Sequence, residues 1–128
     1  MSKILVVEDE LSLQKAMVDV LNINGFQAFG AGDGEEGLRL TKSEKPDLVL
    51  LDIILPKMNG FDVLKAIKAD DATKNIPVIV LTNLEGSTDI EQALTLGAMT
   101  YLVKTNYELD DIVKRAKDAL AKSAAEKA

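Results

Sequence analysis

Hydrophobic and polar positions along this chain form blocks of two lengths. Apolar runs of strand length occur at Ile4 to Val7, Phe26 to Ala31, Leu48 to Leu51, Val78 to Leu81 and Tyr101 to Val103, separated by longer segments of helical period. After the first run, Leu13, Ala16, Met17, Val20 and Leu21 recur at the three- and four-residue spacing of one helical face, and Gly25 is a natural stop. Asp33 with Glu36 has the form of a capping box opening a short helix through Leu38 and Leu40, after which Lys45-Pro46 breaks the chain. A loop with Pro56 and Gly60 leads into a helix that should bury Phe61, Leu64 and Ile67. Asn75-Ile76-Pro77 introduces the fourth strand. Thr88 with Glu91 predicts a second capping box, ahead of Ile90, Ala93 and Leu94, and Gly97 stops that helix. The last helix carries Leu109, Ile112, Val113, Ala116 and Leu120. Residues 121–128 are rich in Ala and Lys without an apolar stripe, and should fray or prolong that helix into solvent.

Five strand–helix repeats with short connections predict an α/β fold, a parallel sheet with helices on both faces. The unbroken apolar runs Leu48 to Leu51 and Val78 to Leu81 suit central strands, and the weaker Phe26 to Ala31 suits an edge. With 128 residues and no internal repeat or linker, one domain over 1–128 is expected. The net charge of −6 disfavours a nucleic acid or an anionic membrane as partner, since both require clustered Lys and Arg. No apolar run approaches the ~20 residues of a membrane span. The absence of Cys fits a reducing compartment, and a cytoplasmic location is expected. There is no His, so the chain has no histidine base, ligand or phosphohistidine of its own.

Four of the apolar runs end at a polar group: Glu8-Asp9, Asp52, Thr82 and Lys104. In open α/β sheets the functional crevice lies outside the carboxyl ends of the strands. Glu8 and Asp9 either supply oxygen ligands to a hard cation such as Mg2+ or sit in a solvated loop and stabilise the next helix N-terminus. Asp52 ends a central strand, where a carboxylate either caps or attacks phosphorus to give an aspartyl phosphate. Three carboxylates in one crevice would repel each other and an incoming phosphoryl group, which a divalent cation would offset. Thr82 is either a strand former or a hydroxyl donor to a phosphoryl oxygen. Lys104 is either a surface lysine or a cation that pairs with Asp52 and then with the phosphoryl group. Tyr101 points, by strand alternation, to the face opposite Lys104.

The ordered set resembles the receiver domain of bacterial two-component response regulators, from Lys3 to about Ala121. The residues that carry the resemblance are Val7-Glu8-Asp9-Glu10, Leu51-Asp52 with Pro56 and Gly60, Leu81-Thr82, and Tyr101-Leu102-Val103-Lys104. It implies a flavodoxin-like (CheY-like), doubly wound sheet of five parallel strands in the order 2-1-3-4-5. It implies that Asp52 is the phosphoacceptor. Glu8 and Asp9 would form the Mg2+ pocket, with Asp9, Asp52 and the Ile54 carbonyl as direct ligands. Thr82 and Lys104 would contact the phosphoryl oxygens, and Tyr101 would be a switch residue coupled to Thr82. The output face would be the fourth helix, fifth strand and fifth helix. The donor would be a sensor histidine kinase or a histidine phosphotransfer protein, and the chain a monomer or weak dimer, a signalling domain rather than an enzyme. Thr105 stands where the family commonly has Pro after the Lys, which removes the usual reason for a cis peptide there. Asn83 stands where a smaller residue is commoner. Ile54 and Leu84, which should flank the phosphoryl site, are apolar and would slow hydrolysis of the acyl phosphate, with Asn83 close enough to modify that lifetime.

Three rivals remain. A phosphorylation-independent interaction module would use the same fold without the chemistry. An Mg2+-dependent phosphohydrolase acting through an aspartyl phosphate would place a second acid two residues after the nucleophile, where this chain has Ile54. A flavodoxin-like nucleotide binder would need a Gly- or Ser/Thr-rich loop after the first strand, where Glu8-Asp9-Glu10 would repel a phosphate.

Overall fold

The computed structural model describes residues 1–127, leaving Ala128 of the Ala/Lys-rich tail outside the described residues. Strands β1 (Lys3–Val7), β2 (Gln27–Ala31), β3 (Leu48–Leu51), β4 (Val78–Thr82) and β5 (Thr100–Val103) alternate with helices α1 (Leu11–Ile23), α2 (Gly34–Glu44), α3 (Gly60–Ala69), α4 (Ser87–Thr95) and α5 (Leu109–Lys127). A short 3-10 turn, Lys104–Asn106, follows β5. The five strands form one sheet in the order β2-β1-β3-β4-β5, and every neighbouring pair is parallel. This is the expected doubly wound order, and β2 lies at an edge.

Strand alternation divides the core into two layers. Ile4, Val6, Leu48, Leu50, Ile79, Leu81 and Leu102 face one side and pack with Met17 and Leu21 of α1 and Ile112, Val113 and Ala116 of α5. Leu5, Val7, Val49, Leu51, Val78 and Val80 face the other and pack with Val63, Leu64 and Ile67 of α3 and Ala93 of α4. All residues of β3 and β4 are buried, so both faces of the middle strands are covered. Each fully buried Leu or Ile contributes about 1.5–3 kcal/mol over leaving it exposed. The strand ends beyond this packed slab therefore stand on a rigid base.

Asp33 opens α2 as expected, its side chain accepting a 2.8 Å hydrogen bond from the Glu36 N–H. The second capping box does not form. α4 begins at Ser87, its N-cap is Gly86 without a side-chain bond, and Thr88 already lies inside the first turn, where its hydroxyl cannot act as the cap. Asp89 supplies negative charge to that turn instead. A cap that the sequence reading did not single out is Asn59, whose side chain accepts from the Asp62 N–H at 3.1 Å. In α3, Leu64 and Ile67 are buried as expected, Phe61 is half-buried, and Val63 is the additional core residue. α5 continues through the Ala/Lys-rich segment, where Ser123 is buried and Ala121, Lys122, Ala124, Ala125 and Glu126 are exposed.

Gly60 fixes α3 to the end of β3. Its N–H donates to the Ile53 carbonyl at 2.8 Å. A Cβ there would lie 2.2 Å from the Asp52 carbonyl oxygen and 2.6 Å from the Ile53 Cα. Only glycine permits so close an approach of two backbones.

Candidate functional site

The parallel register brings the ends of β1, β3 and β4 side by side, because Val7 pairs with Leu51 and Leu51 with Val80. Asp52 follows β3 directly, and its N–H still donates to the Val7 carbonyl at 3.1 Å, so its backbone is held as part of the sheet. Asp52 is only 5% exposed. One carboxylate oxygen, Oδ1, accepts from the N–H groups of Ile53 and Ile54 at 2.7 and 3.3 Å. The other, Oδ2, accepts from the Lys104 ammonium at 2.6 Å.

Lys104 also donates to Oε1 of Glu8, joining the ends of β1, β3 and β5 through one cation. Glu8 is 1% exposed, and its Oε2 accepts from the Glu10 N–H at 3.2 Å. Burial raises the Glu8 carboxyl above the usual range, and the Asp52 charge adds to this, while Lys104 and the Glu10 N–H act against it. Burial alone would lower the Lys104 ammonium, but its bonds to Asp52 and Glu8 outweigh that and raise it. Asp9 differs from its neighbour: it is exposed on the loop. Even so, Glu8, Asp9 and Asp52 can each offer a carboxylate oxygen with all three within 4.8 Å of one another. Three carboxylates thus face one ammonium, an oxygen-only set of the kind that suits a hard divalent cation.

Thr82 ends β4 and is completely buried, and its hydroxyl has no hydrogen-bond partner among the described residues. Buried polar groups are normally paired, so an orphan of this kind marks a missing acceptor or donor. Tyr101 packs in the layer of α3 and α4, and its hydroxyl donates to the Leu84 carbonyl at 2.8 Å. Burial raises its phenol above the usual value, reinforced by the charges of Asp89 and Asp52. Beside the crevice, Ile54 is 60% exposed, Leu84 is half-buried and Asn83 is exposed. No peptide bond among the described residues is cis, so Thr105 follows Lys104 through a trans bond.

The structure therefore gathers Glu8, Asp9, Asp52 and Lys104 into one contact group, with Thr82 close by in the sheet and Tyr101 tied to the loop after β4. The sequence reading missed Gln14. Its side-chain Nε2 donates to the carbonyls of Glu8 and Ala31 at 2.8 and 3.0 Å, lacing the ends of β1 and β2 together. A half-polar position on an amphipathic helix carries no signal of such a contact.

Known proteins are similar to this chain in sequence and in fold. The chain matches the family model of the response regulator receiver domain over residues 4–117. It is 37% identical over 110 residues to "Sporulation initiation phosphotransferase F" of Bacillus subtilis (strain 168), covering 86% of each chain. It is 36% identical over 121 residues to the "DNA-binding response regulator MtrA" of Mycobacterium leprae (strain TN), covering 94% of this chain and 52% of that protein. The chain spans about half, or less, of the length of several curated relatives that it matches. Among solved structures, a CheY-like response regulator receiver domain protein from Methanospirillum hungatei JF-1 superposes with a TM-score of 0.91 at 26% identity, covering 98% of each chain. With the family match running from β1 into α5 and the fold superposing on a solved receiver domain over nearly its whole length, this chain belongs to the response regulator receiver domain family and is a phosphoacceptor signalling domain.

Proposed function

We propose that Asp52 is the phosphoacceptor of this domain, and that it takes a phosphoryl group from a phosphohistidine with Mg2+ bound by the neighbouring acids. The observation that carries this reading is the buried Asp52 carboxylate at the end of the middle strand, beside Glu8, Asp9 and Lys104. The orphaned Thr82 hydroxyl supports it from the phosphoryl side, because the oxygen set fits the metal and the hydroxyl lacks an acceptor. A phosphorylation-independent module would leave that hydroxyl unexplained.

In the transfer, a carboxylate oxygen of Asp52 forms the new bond to phosphorus. The phosphorus–nitrogen bond of the donor imidazole breaks, and the imidazole nitrogen keeps the electron pair. Glu8, Asp9, Asp52 and the Ile54 carbonyl would hold Mg2+, which when bound offsets carboxylate charge and polarises phosphoryl oxygens. Lys104, released from sole duty to Glu8 and Asp52, pairs with a phosphoryl oxygen, and the Thr82 hydroxyl donates to another. Positioning and electrostatics supply most of the catalysis in such transfers. Engagement of Thr82 then biases Tyr101 and the face formed by α4, β5 and α5 between two pre-existing arrangements.

The donor is a sensor histidine kinase or a histidine phosphotransfer protein, since this chain has no His. With a net charge of −6, the domain itself engages a protein rather than a nucleic acid or a membrane. No helix among the described residues is long and apolar enough to cross a membrane. The domain works in the cytoplasm as one unit over 1–128, as a monomer or weak dimer.

The test is labelling with acetyl phosphate and Mg2+, read by intact mass. Wild type should gain one phosphoryl group, and Asp52→Asn none. Equal labelling of the two proteins would sink the assignment.

A further inference from the structure

We infer that Gln14 is a positioning residue for the cation pocket, and that the open space at Gly30 exists to seat it. The inference rests on the reading of Glu8, Asp9 and Asp52 as the metal-binding acids.

Of the three acids, two are held by their own side chains. Asp52 is fixed by Lys104 and two backbone N–H groups, and Glu8 by Lys104 and the Glu10 N–H. Asp9 is exposed, and its carboxylate has no hydrogen bond among the described residues. Its place therefore depends on the backbone that carries it. The peptide plane between Glu8 and Asp9 is set by the Glu8 carbonyl, and that carbonyl accepts from Gln14 Nε2 at 2.8 Å. The same nitrogen donates to the Ala31 carbonyl at 3.0 Å, and Ala31 in turn accepts from the Glu8 N–H at 3.0 Å. One carboxamide thus closes a ring through the ends of two strands. Two carbonyl acceptors at hydrogen-bond distance require the amide nitrogen there and place the amide oxygen on the other side.

That oxygen lies over Gly30. A Cβ at Gly30 would stand 2.2 Å from Gln14 Oε1 and 2.5 Å from its Cδ, and the three nearest atoms all belong to Gln14. Gly30 does not have positive φ, so its backbone would accept a side chain and only the space is at issue. The pair makes a prediction that neither residue makes alone. An alanine at position 30 should act by evicting Gln14, and should be harmless once Gln14 is gone.

Residues that orient metal ligands from behind typically cost about 10–100-fold in affinity when removed. The experiment titrates Mg2+ into the full chain by calorimetry, and separately measures the Mg2+ concentration for half-maximal labelling by acetyl phosphate. Gln14→Leu keeps the bulk and removes the donors. It should weaken Mg2+ binding by about tenfold and raise the half-saturating Mg2+ to match, with the lost labelling recovered as Mg2+ is raised. Gly30→Ala should do the same. Gly30→Ala added to Gln14→Ala should cause no further loss. A residue that merely holds the fold would lower the melting temperature without moving the Mg2+ midpoint. The inference is overturned by a Mg2+ affinity within twofold of wild type in both single variants, by a loss that added Mg2+ does not recover, or by additive effects in the double variant. Asp9→Ala in the same titration separates the two levels. If it binds Mg2+ as wild type does, the metal reading itself fails and this inference falls with it. If it loses Mg2+ while both Gln14→Leu and Gly30→Ala do not, only the positioning role fails.

Discussion

The Thr82 hydroxyl is buried with no partner, and a buried polar group in that state costs about 1–3 kcal/mol in desolvation. Valine has nearly the same shape without the hydroxyl. Thr82→Val should therefore raise resting stability by about 1 kcal/mol while slowing phosphorylation of Asp52 and weakening the switch. Denaturation midpoints and acetyl phosphate labelling read the two effects, and a Thr82→Val protein less stable than wild type would count against this account of the orphan. The lifetime of the acyl phosphate is set at the same scale. Hydrolysis needs a water in line with the phosphorus bond, and Ile54 and Leu84 offer such a water no hydrogen bond. Ile54→Asn or Leu84→Glu should shorten the lifetime, and ~1.4 kcal/mol of better positioning would be about tenfold in rate. Decay of the phosphorylated protein after donor removal in excess Mg2+ is the measurement. Asn83→Ala belongs in the series, because Asn83 is exposed beside the site and can orient water itself. Decay no faster than wild type in both polar variants would refute the idea.

Among the elements, the contact between α3 and the end of β3 has the least tolerance. At Gly60 the obstructing atoms are backbone, so they cannot swing aside as a side chain could. Gly60→Ala should cost roughly 2 kcal/mol or more and slow phosphorylation by shifting Asp52. Gly32→Ala, with nothing within 4 Å of the new Cβ, should stay within about 0.5 kcal/mol of wild type. Equal melting temperatures for the two variants would refute this. The element scale also shows what a sequence makes legible. Apolar runs of strand length located all five strands, because burial on both faces leaves a continuous apolar signal. The polar residues closing four of the runs pointed to Glu8, Asp52, Thr82 and Lys104, since a parallel sheet places strand ends together. The capping pattern worked at Asp33 and failed at Thr88, because the spacing does not say which residue is the last outside the helix. Gly60 was legible only as a loop breaker, and its real constraint is the distance to another backbone. Gln14 was not legible at all: its contacts join two strand ends across the fold, and no local pattern encodes them.

For the molecule as a whole, the crevice is a concentration of like charge in a chain already at −6. Among the described residues, Lys104 is the one cation paired with Glu8, Asp9 or Asp52 in the resting state, and it bonds two of the three. Folding brings these carboxylates together, and unfolding separates them. A divalent cation that binds the folded crevice and not the unfolded chain stabilises the fold by mass action, about 2.7 kcal/mol when free Mg2+ is a hundredfold above its dissociation constant. For a domain of this length each kcal/mol shifts the melting temperature by roughly 3–5 °C, so saturating Mg2+ should raise it by roughly 10 °C. Sodium chloride at matched ionic strength screens charge across the whole surface and should give a smaller rise. Asp9→Ala makes the comparison decisive because its effect should reverse with metal. Without Mg2+ it removes one negative charge from a crowded crevice, and the variant should melt at or above wild type. With Mg2+ it lacks a ligand, so wild type should overtake it. Melting curves of the two proteins across a Mg2+ series should therefore cross. Curves that rise in parallel would mean that Mg2+ acts on surface charge in general and that Asp9 does not hold it.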